Sequence, residues 1–297
     1  MRRFLFNADM FWGVILGKIK TFFELIKFEH TVFALPFAYL GMVVAQRRWP
    51  SWGVFILVTL AMASARTAGM TLNRLIDLKI DSQNPRTKNR PLVAGTFKTS
   101  WAWGCVATSV FILLVSSWAL NPLCFKLSPL ALLLLTIYHY AKHFTWLCHW
   151  VLGVVLGCAP IGGWIAVTGQ FSWQPLILAV VVMTWVAGFD ILYSLQDEDF
   201  DRVSGLHSVP VRFGVKRALE ISFYSHVATV VFLVLFGFLG GVGIVYAVGV
   251  VITAFLLRFE HGIVSDGDLS KINTAFFTIN GWIGVLLFVF AYLDVYR

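Results

Sequence analysis

Asn73, Asp77 and Asp81 recur at every fourth position, and Asp197 and Asp201 repeat the same step about 120 residues later. In a helix four residues advance roughly 400°, so each set lines its oxygen atoms along one face. Carboxylate and amide oxygens are the ligands that a hard cation such as Mg²⁺ prefers, and Mg²⁺ held by few protein groups commonly takes phosphate as well. Each acidic set leads into a basic, turn-rich stretch. The first carries Arg86, Lys88 and Arg90, and the second carries Arg202, His207 and Arg212 with a Gly and a Pro. Metal-binding carboxylates beside guanidinium groups make a trap for a diphosphate, because metal and cation can share its anionic oxygens. A basic loop neutralised by solvated acids would explain either stretch alone; the recurrence favours the trap.

Other polar residues extend these two faces inward. Arg66 precedes Asn73 by seven residues, on almost the same face and two turns deeper, within reach of a phosphate or a substrate carboxylate. Asp190 precedes Asp197 by the same interval, with Tyr193 between them, so a polar stripe runs from the loop into an apolar segment. Charge within such a segment is costly and usually faces a cavity. Tyr138 and Lys142 form a further i, i+4 pair, suited to a phosphate and to a hydrogen bond or cation–π contact. An interhelical salt bridge for Arg66 and a snorkelling Lys142 beside an interfacial Tyr138 are the structural alternatives. His139 and His143 share that spacing but lack a carboxylate to complete a metal triad. Glu24, Lys27, Glu29 and His30 either line a pocket or anchor the first apolar segment at the interface.

The elements that must position these residues are membrane-spanning helices. The 297 residues are 59% hydrophobic and 13% charged, with 27 Phe, and the mean hydropathy is +0.80. That exceeds what a soluble core requires. Apolar segments long enough for a ~30 Å hydrocarbon core lie at about 22–46, 52–72, 99–120, 123–141, 144–168, 173–195, 219–239, 240–257 and 272–293. The fold expected is therefore an all-α integral membrane protein of about nine transmembrane helices. Gly and Pro also occur inside spanning helices, so if Asn121-Pro122 or Leu239 to Gly243 does not divide two segments the count is eight.

Lys and Arg are retained on the cytoplasmic side. With the N-terminus inside, Arg2, Arg3, Lys18, Lys20, Arg74, Lys79, Arg86, Lys88, Arg90, Lys98, Lys142, Arg202, Arg212, Lys216, Arg217, Arg258 and Lys271 fall inside. Only Arg47, Arg48, Lys126 and Arg297 fall outside, so both acidic sets are expected in cytoplasmic loops. Topology thus accounts for most of the net charge of +8, and no soluble basic domain suggests a nucleic-acid partner. Met1 to Lys20 reads as a short amphipathic lead-in rather than a cleaved signal. Cys105, Cys124, Cys148 and Cys158 stand apart and read as packing residues. The whole chain, 1–297, reads as one domain of two similar four-helix units, with no obligate protein partner evident.

Taken together, Asn73/Asp77/Asp81, the Arg86 to Leu92 segment, Tyr138/Lys142 and Asp190/Tyr193/Asp197/Asp201 resemble the UbiA superfamily of intramembrane prenyltransferases. The interval from Arg66 to Asn73 and the Gly157 to Trp164 segment are similar as well. The resemblance implies nine helices around a central cavity, capped by two Asp motifs that hold Mg²⁺ against an isoprenoid diphosphate. It gives Asn73, Asp77, Asp81, Asp197 and Asp201 the metal role, and Lys142, Arg86, Arg90 and Arg66 contact with diphosphate. Asp190 and Tyr193, with Arg66, would sit near the reacting carbon or the acceptor. The Lys27 to Pro36 segment is similar to a 4-hydroxybenzoate polyprenyltransferase-like bacterial branch of quinone biosynthesis. The implied reaction is Mg²⁺-dependent transfer from polyprenyl diphosphate to a small aromatic acid at the inner membrane. Prenylation of 1,4-dihydroxy-6-naphthoate for menaquinone, or of haem or chlorin, stays open. So does an ion-coupled transporter built on Arg66 and Asp190, which would leave the Asp sets unexplained.

Overall fold

The computed structural model describes residues 21–26, 31–264, 272 and 278–297. Lys27, Glu29 and His30, the lead-in before Thr21, and the basic residues Arg2, Arg3, Lys18, Lys20 and Lys271 lie outside the described residues. Among those described, seven helices are long and apolar enough to cross a membrane, and two shorter apolar helices accompany them. We label these helices, the first and last being the shorter two, α1 (Thr31–Gln46), α2 (Trp52–Ile76), α3 (Thr99–Leu120), α4 (Pro122–Ile137) and α5 (Cys148–Thr168). They continue as α6 (Gln174–Ser194), α7 (Val209–Gly240), α8 (Ile244–Val264) and α9 (Asn280–Val295). A bilayer offers no water to unpaired backbone groups, so spanning segments must bond internally and their ends must be capped.

The sequence supplies those caps. Ser51 Oγ accepts from Val54 N at the start of α2. Asn121 Oδ1 accepts from Leu123 N at 3.1 Å and Cys124 N at 2.9 Å, with Pro122 at the first position of α4. Gly169 and Gly241, both in the left-handed region, end α5 and α7. At the α7–α8 turn, Arg47 donates to the carbonyls of Gly240 and Gly241, while Asp294 accepts from the amides of Gly243, Val245 and Tyr246. Each charge opposes the partial charge of the helix end it meets. Both divisions expected from sequence are thus real. The seventh apolar segment differs, because the helix starts at Val209 rather than near Leu219. Ser208 Oγ accepts from Val211 N there, and the basic residues that mask its apolarity lie on a kinked extension.

Each labelled helix packs against the next, α9 returns to α1, and α1 also lies across α5. Large apolar side chains such as Phe111, Leu130, Phe238 and Phe255 remain exposed on the outer surface, as lipid contact requires. Trp52, Trp118 and Trp173 sit exposed at one end of the bundle, and Trp101 and Trp103 at the other. Helices in lipid associate through close packing rather than water exclusion, and α5 shows how. A Cβ added at Gly153 or Gly157 would fall 2.4 Å from Met183 O or 2.8 Å from Ala179 O, both backbone atoms of α6. One added at Gly163 would fall 2.0 Å from Ala38 O on α1. Short connections make neighbours antiparallel, so the C-terminal ends of α2, α4 and α6 meet the N-terminal ends of α3, α5 and α7. The chemistry-bearing residues lie at that end.

Adjacent glycines of α5 should respond oppositely to alanine. Gly163→Ala drives a methyl group into α1 and is expected to lower the midpoint of thermal unfolding in detergent, overpacking costing about 1–3 kcal/mol. Gly162→Ala meets open space and is expected to leave the midpoint unchanged or raise it.

Candidate active site

The first acidic set straddles a helix end. α2 stops at Ile76, Asp77 takes φ −85° and ψ 5°, and a short helix follows over Leu78–Gln83. The ladder expected along one continuous helix is therefore bent at its middle rung. The i→i−4 bonds survive the bend, with Asp77 N to Asn73 O at 2.9 Å and Asp81 N to Asp77 O at 2.7 Å. The side chains consequently stay together, and Asn73 Nδ2 donates to Asp77 Oδ2 at 2.8 Å. In the second set Asp190 and Tyr193 lie on α6, Asp197 ends the tight 3₁₀ turn Leu195–Asp197, and Asp201 lies on the short helix Glu198–Val203. That tightened turn interrupts the regular four-residue step.

The residues given a metal, diphosphate or acceptor role all line one cavity of about 670 Å³, whereas Lys88, Arg202, His207 and Arg212 of the two basic stretches do not. Asn73, Asp77, Asp81 and Arg66 enter it from α2 and its extension, Arg86 and Arg90 from the following loop, and Lys142 from beyond α4. Asp190, Tyr193, Asp197 and Asp201 enter from the opposite side. The carboxylates of Asp81, Asp197 and Asp201 are buried, at 6%, 7% and 3% exposure, and buried carboxylates must be paired. Arg86 grips Asp197 with two nitrogens, its Nε 2.8 Å from Oδ1. Its Nη1 donates to the Tyr193 hydroxyl at 3.1 Å, and its guanidinium lies 5.4 Å from the centre of that ring. Arg90 pairs with Asp81, and Lys142 Nζ lies 3.1 Å from Asp201 Oδ2. A cation following the first set thus reaches across the cavity to the second.

Burial raises the Asp77 carboxyl to about 6; neighbouring Asp81 adds to this, while Lys142, Arg74 and His143 oppose it. For Arg86 burial works against the charge, yet the hydrogen bond and ion pair with Asp197 hold the guanidinium above its ordinary value. Arg66 on α2 has an Nε without a hydrogen-bond partner among the described residues.

Arg74 and Asn84, given no site role from sequence, belong to the wall, and a third such residue, His149, lies buried behind it. Arg74, buried, donates to Asn73 Oδ1 at 2.8 Å and orients the amide. Asn84 donates to Asp197 Oδ1 at 3.2 Å, and its own Oδ1 accepts from Arg86 N at 2.9 Å, shaping the turn that delivers the guanidinium. The third, His149, stands against Asp190. Asn-Pro at 84–85 is a turn signal, and a His inside an apolar helix calls for a polar partner, so the turn and the buried imidazole each carried a readable cue.

A second, apolar cavity of about 320 Å³ adjoins the first and shares Arg66, Met70, Tyr138 and Leu156 with it. Leu113, Leu127, Leu134 and Ile161 are among its walls. The site therefore joins a polar, charge-rich mouth to an apolar recess inside the bundle. Among the described residues, no three His, Cys, Asp or Glu side chains gather closely enough to hold a metal ion by themselves.

Comparison with known proteins agrees with this geometry. The family model described as the UbiA prenyltransferase family matches residues 34–282. The 4-hydroxybenzoate octaprenyltransferase of Vibrio campbellii is 28% identical over 278 residues, covering 92% of this chain and 96% of its own. The enzyme of the same name from Tolumonas auensis is 29% identical over 239 residues, covering 80% and 83%. The solved apo structure of a UbiA homologue from Aeropyrum pernix K1 superposes with a TM-score of 0.82 at 34% identity, over 90% of this chain and 98% of that one. A UbiA homologue from Archaeoglobus fulgidus, bound to DMAPP and Mg²⁺, shares the fold with a TM-score of 0.72 at 21% identity, covering 93% and 99%. A match along most of the chain, around a cavity lined by its acidic and basic residues, makes this protein a member of the UbiA prenyltransferase family and a prenyltransferase.

Proposed function

We propose that the protein transfers a polyprenyl group from polyprenyl diphosphate to a hydroxylated aromatic acid of the 4-hydroxybenzoate type, in quinone biosynthesis. The observation that carries this reading is the junction at Arg66 and Tyr138 between the charged cavity and the apolar recess. A prenyl diphosphate has the same two-part character, with an anionic head and a hydrocarbon tail. The 4-hydroxybenzoate octaprenyltransferase relatives support the choice of acceptor. The acceptors left open by sequence alone gain no specific support from the cavity.

Lys142, Arg86 and Arg90 already face the cavity and are neutralised by carboxylates. An incoming diphosphate would offer these cations an alternative partner, so that positive charge stands where negative charge builds on the leaving group. The donor set fits Mg²⁺, because Asn73, Asp77, Asp81, Asp197 and Asp201 offer oxygen alone; these residues would hold the ion, which would supply charge neutralisation to the diphosphate. Phe189, Tyr138 and Tyr193 on the cavity wall present aromatic faces suited to an allylic cation, and the apolar wall excludes water that would quench it. Arg66 offers a guanidinium to an acceptor carboxylate at the bottom of the polar space. The basic residues gathered at this end support an inner-membrane protein whose cavity opens toward the cytoplasm.

Purified protein in lipid nanodiscs, given Mg²⁺, a polyprenyl diphosphate and a panel of hydroxylated aryl acids, should yield a product heavier than one acceptor by the prenyl group less one hydrogen. Mass spectrometry reads this directly, and failure with every aryl acid sinks the acceptor assignment. Asp77→Ala and Asp197→Ala should each lower turnover by more than about 10²-fold while the protein still inserts in membranes. Excess EDTA should stop transfer, and added Mg²⁺ should restore it; transfer that persists after thorough stripping would refute the metal role.

A further inference from the structure

His149, the second residue of α5, is fully buried, and neither the metal nor the diphosphate role accounts for it. Its Nδ1 lies 2.6 Å from Asp190 Oδ2, and its Nε2 lies 3.3 Å from the backbone nitrogen of Val209, the first residue of α7. A backbone N–H donates, so Nε2 must be the accepting nitrogen and carries no proton. The proton of the neutral ring therefore sits on Nδ1 and is donated to Asp190. Val209 N–H is one of the helix-start donors that no carbonyl of its own helix can satisfy. The start of α7 thus fixes the ring, and the ring fixes the carboxylate.

Asp190 differs in this from the other acids of the two motifs. Asp81, Asp197 and Asp201 are each engaged by a cation, and Asp77 by the Asn73 amide. Asp190 is held from behind by the imidazole N–H of His149 while its side chain, 24% exposed, lines the cavity. Its Oδ1 has no hydrogen-bond partner among the described residues.

We propose that His149 is a positioning residue that holds Asp190 to receive the proton released when the acceptor ring is alkylated. The proposal rests on the prenyl-transfer reading above. In that reaction the allylic C–O bond breaks and its electron pair leaves on the diphosphate, while a bond forms from the allylic carbon to a ring carbon. The C–H bond of that ring carbon then breaks, its electrons restore aromaticity, and the proton passes to Asp190 Oδ1. His149 touches no substrate and acts through the carboxylate. Glutamine can mimic it, its amide donating to Asp190 and its carbonyl accepting from Val209 N–H; leucine has similar bulk and neither function.

The test compares wild type, His149→Leu, His149→Gln and Asp190→Asn in nanodiscs. It measures kcat and KM for the acceptor, and separately the equilibrium binding of radiolabelled polyprenyl diphosphate with Mg²⁺. His149→Leu and Asp190→Asn should lose about 10²-fold or more in kcat at saturating acceptor, the scale of a lost general base. Donor affinity should stay within about twofold of wild type, and His149→Gln should recover kcat to within about fivefold. A kcat within about threefold of wild type in Asp190→Asn or His149→Leu overturns the proposal. So does a His149→Gln variant as slow as Asp190→Asn despite normal donor binding. Donor binding also reports folding, so if leucine is not tolerated the Gln and Asn variants decide the matter. Absence of transfer by the wild type to any aryl acid would remove the prenyl-transfer reading and this proposal together, and is distinguishable because no variant enters that comparison.

Discussion

Carboxylates facing one another across a cavity inside an apolar bundle cannot stay there as bare charges. Each must find a donor or give up its ionisation, and the cost of leaving one uncompensated is several kcal/mol. Here Arg86, Arg90 and Lys142 meet that demand. Because Arg86 belongs to the loop after the first acidic set and Asp197 to the second, the pairing also ties two distant stretches of chain to one another. The loop is shaped for this by Asn84, which bonds both to Arg86 N and to Asp197. The positions of α2 and α6 relative to one another are therefore inseparable from the electrostatics of the pocket between them.

That constraint explains why the packing of α5 is so tight. α5 stands between α1 and α6, and backbone meets backbone at Gly153, Gly157 and Gly163. Larger side chains at Gly153 or Gly157 would push α6 outward and with it Asp190, Tyr193 and the second acidic set, and one at Gly163 would push α1 away. Elsewhere the bundle is locked by buried polar links, such as Trp185 Nε1 to Asn280 Oδ1 at 2.7 Å and Asn280 Nδ2 to Glu260 Oε1 at 2.7 Å, which join α6, α9 and α8. Hydrogen bonds between helices are well suited to lipid, where hydrocarbon offers no competing partner.

Much of this was legible in the sequence because charge is so rare in it. Against an apolar background, Arg66, Asp190 and the four-residue acidic steps stand out, and helical periodicity alone brings them to one face. The capped ends were legible too, since Asn121-Pro122 and the glycines near 240 carry their own turn chemistry. The bend at Asp77 and the tight turn at Leu195–Asp197 were not, for both are set by which partners the side chains find across the cavity rather than by local preference. The turn at Asn84-Pro85 could be read locally, but the bond from Asn84 to Asp197 could not, as that partner lies 113 residues away. The start of α7 escaped because its first two turns are basic, and hydropathy registers the membrane-embedded length of a helix rather than its full extent.

Gly214 interrupts α7 with φ 76° and ψ 165°, a backbone state that side chains other than hydrogen strongly resist. The few residues before it hold the buried His149 through the Val209 N–H, and the long stretch after it belongs to the lipid-facing bundle. The break lets the helix change direction there, so the tilt with which the long shaft crosses the bilayer is set separately from the direction of the short segment that meets the imidazole.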